Sequence, residues 1–344
     1  MNTYGNIGNQ TAGWYARRLL SHAQPVLVLE AFALTKTLPK NETKVIEFRR
    51  FRPLPNASQL VEGQTPSAQL FGYDAVQIQM RQYGAVVIIT DQVTDFNKDR
   101  VLGNIVEAQG EQVGRTREAL LWDIVRSGTN VQYAGNMSSR ASLTKDSLLS
   151  TNEVRRAVAT MMRNKAVKIT RVLKPSPNYE SYSVPPAYIA VTHTDAIPTL
   201  RELAGSSSAR TNHFQPVNQY SNMKMVSVHE VGNFEDVRYI ASPDLPAYGG
   251  ATTAVASGND IHNFYNASTG NQFDVYSTVI FGREAFGVVA LRGKRGIQPI
   301  VVKPGTPDHA DKLGQTGWAG WKMYFAGRIL NEVWMLRLEH VLAR

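Results

Sequence analysis

Hydrophobic and polar positions change period several times along this chain, and each change marks an element. Val76, Ile78 and Met80 alternate with Gln77, Gln79 and Arg81, the period-two pattern of a strand with one buried face. Upstream, Lys44 to Arg52 reads Lys-Val-Ile-Glu-Phe-Arg-Arg-Phe-Arg, rich in β-branched and aromatic residues, and predicts a second strand. Between them, Pro53 to Tyr73 is a polar connector with three prolines, far longer than a hairpin loop. The pair is therefore expected to project as a two-stranded arm. Such an arm buries little of its own surface, so it is expected to rest on a partner chain.

The period then lengthens. From Asp99 to Ser127 apolar residues recur at helical spacing, among them Val101, Ile105, Val113, Leu120, Leu121 and Ile124. The pattern predicts one rod of roughly 43 Å at about 1.5 Å per residue. Asp95 or Asn97 stands where a cap belongs, and Gly128 where a helix ends in a left-handed residue. Gly103, Gly110 and Gly114 interrupt the rod, each costing about 1 kcal/mol relative to alanine. They predict close approach of another backbone, or a bend.

Ser150-Thr-Asn-Glu153 forms a capping box for a helix running to about Asn164, followed by a strand within Ala166 to Leu173. From Pro185 the elements shorten: strands near Tyr188–Thr192, Met223–Val231, Val237–Ile240 and Val275–Phe281, and a helix near Ala196–Ala204. Trp318 to Leu342 is expected to hold two strands. At the start, Gly13 to Phe32 sets Trp14, Leu19 and Leu20 against Arg17, Arg18 and His22, predicting a short basic helix and then an extended strap. The fold class is α+β with one long helix.

Composition narrows the function. The chain has 344 residues, 43% of them hydrophobic, enough for a sizeable core and room for two domains. No apolar run reaches the roughly 18–20 residues of a membrane span, and Met1 to Gly13 shows no signal pattern, so no membrane association is expected. Cysteine is absent, which removes disulfides, thiolate metal sites and cysteine nucleophiles and fits a cytoplasmic protein. A net charge of +9 permits a polyanionic partner.

Candidate chemistry is sparse. No Walker loop, Gly-x-Gly-x-x-Gly, His-Glu-x-x-His or Gly-x-Ser-x-Gly occurs, and neither an enzyme nor a cofactor is expected. Asp91, Asp95 and Asp99 read as helix-start carboxylates, Thr192 to Asp195 as a strand end with a cap, and Asp308, His309 and Asp311 as a solvated turn. Two basic features stand out. Phe48, Arg49, Arg50, Phe51 and Arg52 interleave aromatics with arginines, suited to gripping an acidic neighbouring chain or, less favoured, to stacking on single-stranded bases. Between Arg155 and Lys174 lie seven basic residues and no acidic one, including Arg155, Arg156, Arg163, Lys165 and Lys168. This run reads either as a solvated helix face or as a phosphate-facing surface.

The order of parts, with several local strings, resembles the HK97-like fold of tailed-bacteriophage major capsid proteins. The strings are Tyr83-Gly84, Thr90 to Asp99, Gly128 to Ala134, Phe281 to Phe286, Leu313-Gly-Gln315, Gly320-Trp-Lys322 and Ile329-Leu-Asn331. The resemblance covers nearly the whole chain from about residue 13. It implies an N-terminal arm at 1–38, an extended β-arm (E-loop) at 39–91 and a peripheral domain at 92–185 with its spine helix at 99–127. An axial domain at 186–285 and a return to the peripheral domain at 286–344 complete it. It further implies self-assembly as hexamers and pentamers into an icosahedral shell around double-stranded DNA, with a portal and scaffolding or decoration proteins as further partners. Any scaffold is expected to be a separate protein. Some members of the family this chain resembles cross-link covalently through a lysine in this loop; the connector 53–73 carries none, and this departure implies non-covalent assembly. A cargo-enclosing nanocompartment of the same fold and a nucleic-acid-binding protein outside any shell remain the alternatives.

Overall fold

A computed structural model describes residues 27–38, 43–57, 59, 62–63, 68–96, 101–144, 147–173, 181–203, 214–220, 225–245, 247–248, 274–291, 297–307 and 311–342. The basic helix expected before residue 27, and Asn97, Asp99, Lys174, Asp308 and His309, lie outside them.

The chain enters as a strap, Leu29–Phe32, and then strand β1 (Leu34–Leu38). Strands β2 (Val45–Phe51) and β3 (Tyr73–Gln79) form the arm; β3 continues through Met80 into β4 (Arg81–Thr90). Helix α1 (Asp91–Phe96) precedes the long helix α2 (Val101–Arg126) and the short strand β5 (Val131–Tyr133). Helix α3 (Thr151–Arg163) begins at Ser150, whose side chain accepts the Glu153 N–H at 3.4 Å, the cap its sequence predicts. Strands β6 (Ile169–Leu173) and β7 (Ser181–His193) follow, then α4 (Ile197–Glu202). Next come β8 (Gln215–Pro216), β9 (Glu230–Phe234), β10 (Val237–Ser242), β11 (Tyr276–Phe281), β12 (Phe286–Leu291) and β13 (Ile297–Val302). The two C-terminal strands are β14 (Thr316–Ile329) and β15 (Met335–His340).

The described residues form three sheets. The largest runs β5-β15-β11-β7-β10-β9-β8, with β6 also on β7. The second is built on β14, which pairs with β4 from Thr316 to Phe325, with β13 from Trp318 to Met323 and with β12 from Ala326 to Ile329, β1 lying beyond β12. The third is the arm alone, β2 with β3. In the large sheet β10 and β11 are buried at every position, because both faces are covered. Ile189, Val191, Ile240, Val279 and Phe281 face the cluster shared with α2, while Tyr188, Ala190, Val237, Tyr239 and Ile280 meet Val154, Ala157 and Met161 of α3. The period-two alternation of these strands thus serves two helices, one per face.

Helix α2 lies between the large sheet and the β14 sheet. Its buried face includes Val106, Gly110, Val113, Gly114, Leu121 and Val125, a helical stripe against both. Gln109 Nε2 donates to the Ala319 carbonyl at 2.7 Å, and Trp321 Nε1 donates to Gln112 at 3.1 Å. A side chain at Gly327 would stand 3.1 Å from Ile124, so the glycine lets the helix settle onto β14.

Gly128 corrects an expectation. It does not take the left-handed conformation after α2; positive φ in this region falls on Gly135 and Asn136 instead. A Cβ there would lie 2.8 Å from the terminal methyl of Met335, the end of a flexible side chain that can move aside.

Candidate inter-subunit surfaces and the basic helix

The arm is rooted in the subunit's own core. Its seven-residue ladder runs from Val45 opposite Gln79 to Phe51 opposite Tyr73. Inward-facing Phe48, Ile78 and Met80 pack with Leu38, Val289 and Ala326. Because β4 pairs with β14 along its whole length, the projecting part ends at Gln79, before the residue-91 limit drawn from the resemblance.

Of the five arm residues singled out in sequence, Phe48 is buried at this root, with the Lys36 ammonium 4.4 Å from its ring centre. The arginines are held on the chain itself. Arg49 donates to Glu47 at 2.6 Å, and Arg50 donates to Asn331 at 2.7 Å and Asp74 at 3.1 Å. Arg52 grips Asp74 with Nε and Nη2, at 2.8 and 2.6 Å. These hydrogen bonds, Arg52's foremost, hold the Asp74 carboxyl below the usual carboxylate range. Phe51 is exposed at the arm's end without a polar partner to hold it, stacked on Phe71 at 5.0 Å and edge-on to Tyr73 at 6.5 Å.

The basic run is divided in a similar way. Glu235 and Asp236 form the two-residue turn between β9 and β10, both at positive φ, the backbone of a type I′ hairpin. That turn presents one carboxylate to Arg155 at 2.8 Å and the other to Lys168 at 2.7 Å. Arg156 bonds Glu153 and Asn136, each at 2.6 Å. Arg163 and Lys165 are exposed at the end of α3 and form no ion pair among the described residues. Lys165 itself takes the left-handed conformation that ends the helix.

The spine glycines separate too: Gly110 and Gly114 are buried, Gly103 half-buried. One turn past Gly114, Glu118 is completely buried, a polar residue in an apolar stripe. Its carboxylate accepts the backbone N–H groups of Val28 and Leu29, each at 3.2 Å, tying the strap to the helix. An Arg117–Glu30 ion pair lies beside it. Burial pushes the Glu118 pKa up to about 8 against the pull of those two backbone donors.

Sequence reasoning passed over Glu118, although its place at helical spacing from Leu121 and Val125 was a legible signal. It also missed His340, fully buried with Nε2 2.8 Å from the Thr278 hydroxyl and its pKa lowered by burial to about 4. A third omission is buried Glu339, gripped by Arg140 with two 2.6 Å bonds and by Arg337 at 2.9 Å.

The remaining motifs resolve into turns. His193, not Asp195, caps the turn after β7, accepting the Asp195 N–H on Nδ1 at 3.1 Å. Asp311 accepts the Thr316 N–H and hydroxyl, both at 2.7 Å. Among the described residues no cluster of His, Asp and Glu could hold a metal ion, and no helix is long and apolar enough to cross a membrane.

A two-stranded arm rooted in the β14 sheet, with a long helix clasped between that sheet and the larger one, is the architecture carried into comparison with known proteins. A family model described as phage capsid protein matches residues 73–326. The chain belongs to this family. A major capsid protein of Pseudomonas phage KPP21 is 21% identical over 277 residues, spanning 76% of this chain and 66% of that protein, just under two thirds of its length. Among solved structures, the capsid of Ralstonia phage GP4 superposes with a TM-score of 0.66 at 11% identity, covering 92% of this chain and 91% of that one. The head structure of Helicobacter pylori bacteriophage KHP40 gives 0.57 at 11% identity, covering 91% and 88%. The fold is the HK97-like fold of phage capsids.

Proposed function

We propose that the chain is a major capsid protein whose copies assemble as hexamers and pentamers into a closed icosahedral shell around double-stranded DNA. The observation that carries this, beyond family membership, is the arm: it is anchored at its root, and its aromatic end is left bare by the subunit that bears it. A monomer gains nothing from such an end, whereas a shell subunit uses it to hold a neighbour. The protein's role is structural, with no catalytic step and no cofactor. Assembly takes place in the host cytoplasm, and the product is the head of a virion, with a portal and scaffolding or decoration proteins as further partners.

Within that reading the domains are the arm, the peripheral domain on α2 and the β14 sheet, and the axial domain over residues 186–285. Of the five candidates Arg155, Arg156, Arg163, Lys165 and Lys168, Arg163 and Lys165 are the ones left to meet phosphate. Arg155, Arg156 and Lys168 serve chiefly to fasten α3 to the β9–β10 turn and the segment before it. Gly110 and Gly114 provide close packing at the spine.

The test is expression of the chain alone, followed by gradient sedimentation and negative-stain microscopy. Closed hollow particles of uniform size are expected. Monomers that stay dispersed at high concentration, and also with lysate of a susceptible host, would overturn the reading.

A further inference from the structure

A cavity of about 600 Å³ opens at one end of the large sheet, among α4, β8, β9 and β10. Ile197, Val217, Met225, Val231 and Ala241 give it apolar walls, and Thr194, Asn218 and Arg201 stand among them. Small-molecule sites usually hold roughly 300–1,000 Å³, with apolar walls and a few polar groups that orient the guest. This cavity has both features. Its shape is set by a β-bulge: Tyr239 of β10 stands opposite Gly232 and Ile240 opposite Glu230, so Val231 is the extra residue. Beside the bulge, buried Glu230 accepts the Tyr220 hydroxyl at 2.9 Å and the Val226 N–H at 2.6 Å, with Arg238 3.6 Å away. The Ala241 N–H donates to the His229 carbonyl at 3.0 Å, which ties β10 to the same segment. These bonds hold Met225, Val231 and Ala241 in place before any guest arrives, so little ordering has to be offset on binding.

Arg201 gives the cavity its sign. It lies four residues after Ile197, on the same face of α4, and is exposed. Its guanidinium forms no ion pair among the described residues. Glu230, the one carboxylate on the described lining, is already met by Arg238 and its two donors, so the charge left to act on a guest is positive. A single guanidinium beside apolar walls matches one planar carboxylate, which it can grip with two parallel bonds. A phosphate dianion would bring a second charge with no unpaired cation on the described lining to meet it.

We propose that this cavity binds a small amphipathic carboxylate, with its apolar body against Val217, Met225 and Val231 and its carboxylate on Arg201. Building a shell makes no use of such a site, so the proposal goes beyond that reading and does not depend on it.

Two probes test it, decanoate and naphthylacetate, with uncharged naphthylethanol as the control. Each is titrated calorimetrically into the full chain, as free subunits and as assembled particles, with decanoate kept below the concentration at which it forms micelles. Saturable binding of at least one acid, one molecule per subunit, is expected in both forms. Arg201→Gln changes an exposed side chain and is expected to weaken acid binding about tenfold or more while leaving naphthylethanol binding unchanged. Val217→Trp, which fills the cavity, is expected to abolish binding of acid and alcohol alike. If that variant fails to fold, the comparison of acid with alcohol in Arg201→Gln still decides the matter. Failure of both acids to bind overturns the proposal, and so does binding that Arg201→Gln leaves unchanged. Binding seen in free subunits but lost in particles would make the cavity an interface between copies and overturn the small-molecule assignment. None of these results bears on whether particles form, so the shell reading is tested separately.

Discussion

Glu118 and His340 are buried at opposite ends of the acid–base scale, and together they shape the pH response of the subunit. Glu118 titrates near 8 in the fold against an ordinary 4.5, so its stabilising contribution is complete below pH 4.5 and is lost as pH rises through 8. His340 titrates near 4 against an ordinary 6.5, so its contribution is complete above pH 6.5 and is lost as pH falls through 4. Between 4.5 and 6.5 the two slopes oppose each other. Melting temperature measured against pH is expected to be flattest there for these two groups, and Glu118→Gln should remove part of the decline above pH 6.5. An unchanged decline in that variant would show that Glu118 does not titrate in that range in the folded chain. The spine glycines give a second test at this scale. Gly103→Ala, at a half-buried position, should gain about 1 kcal/mol of helix propensity. Gly110→Ala and Gly114→Ala, both buried, should lose stability despite that gain, because overpacking costs about 1–3 kcal/mol. Denaturant unfolding of the three single variants separates the cases.

At the scale of elements, the arm divides into a root that belongs to the subunit and an end that does not. Phe48, Ile78 and Met80 sit in a core with Leu38, Val289 and Ala326, so cutting there should unfold part of the β14 sheet. Replacing residues 53–71 by a tight turn leaves that core intact. The shortened chain is expected to stay soluble, with a melting temperature within a few degrees of the full chain, and to fail to form closed particles. Loss of cooperative unfolding instead would mean that the end supports its own subunit. The sequence alone placed both arm strands nearly where they stand, β2 at 45–51 within the expected 44–52, because period-two alternation is local information. It could not show that β4 leaves the arm for the sheet. Val86 and Ile88 are as strand-like as Val76 and Ile78, and only pairing with β14 separates them.

For the whole molecule the decisive quantity is how much of the +9 charge remains to act on a partner. Arg155, Arg156 and Lys168 have partners within the subunit, which leaves Arg163 and Lys165 of the five sequence candidates. Each phosphate neutralised contributes about −0.9 to the slope of log affinity against log salt. Arg163→Gln with Lys165→Gln should therefore flatten that slope for double-stranded DNA by up to about 1.8 per subunit, with particles still forming. Arg155→Gln should instead lower subunit stability, since it leaves Glu235 without its arginine. A slope untouched by the first pair would place the DNA-facing surface elsewhere.

What the sequence by itself determined was the succession of elements: alternation for the arm and the C-terminal strands, the 3.6-residue period for the spine, the capping box at Ser150. Each is set by residues within a few positions of one another, and the local strings that resemble phage capsid proteins are of the same kind. Only the tertiary structure decided which of the like-charged residues are paired, why Glu118 lies inside, and that β4 joins the β14 sheet. Those depend on contacts between distant segments, Val28 with Glu118, Arg155 with Glu235, Val86 with Gly320. A charge is paired or bare, and a glycine a turn or a gap, according to what another strand or helix brings against it, and no period along the chain encodes that meeting.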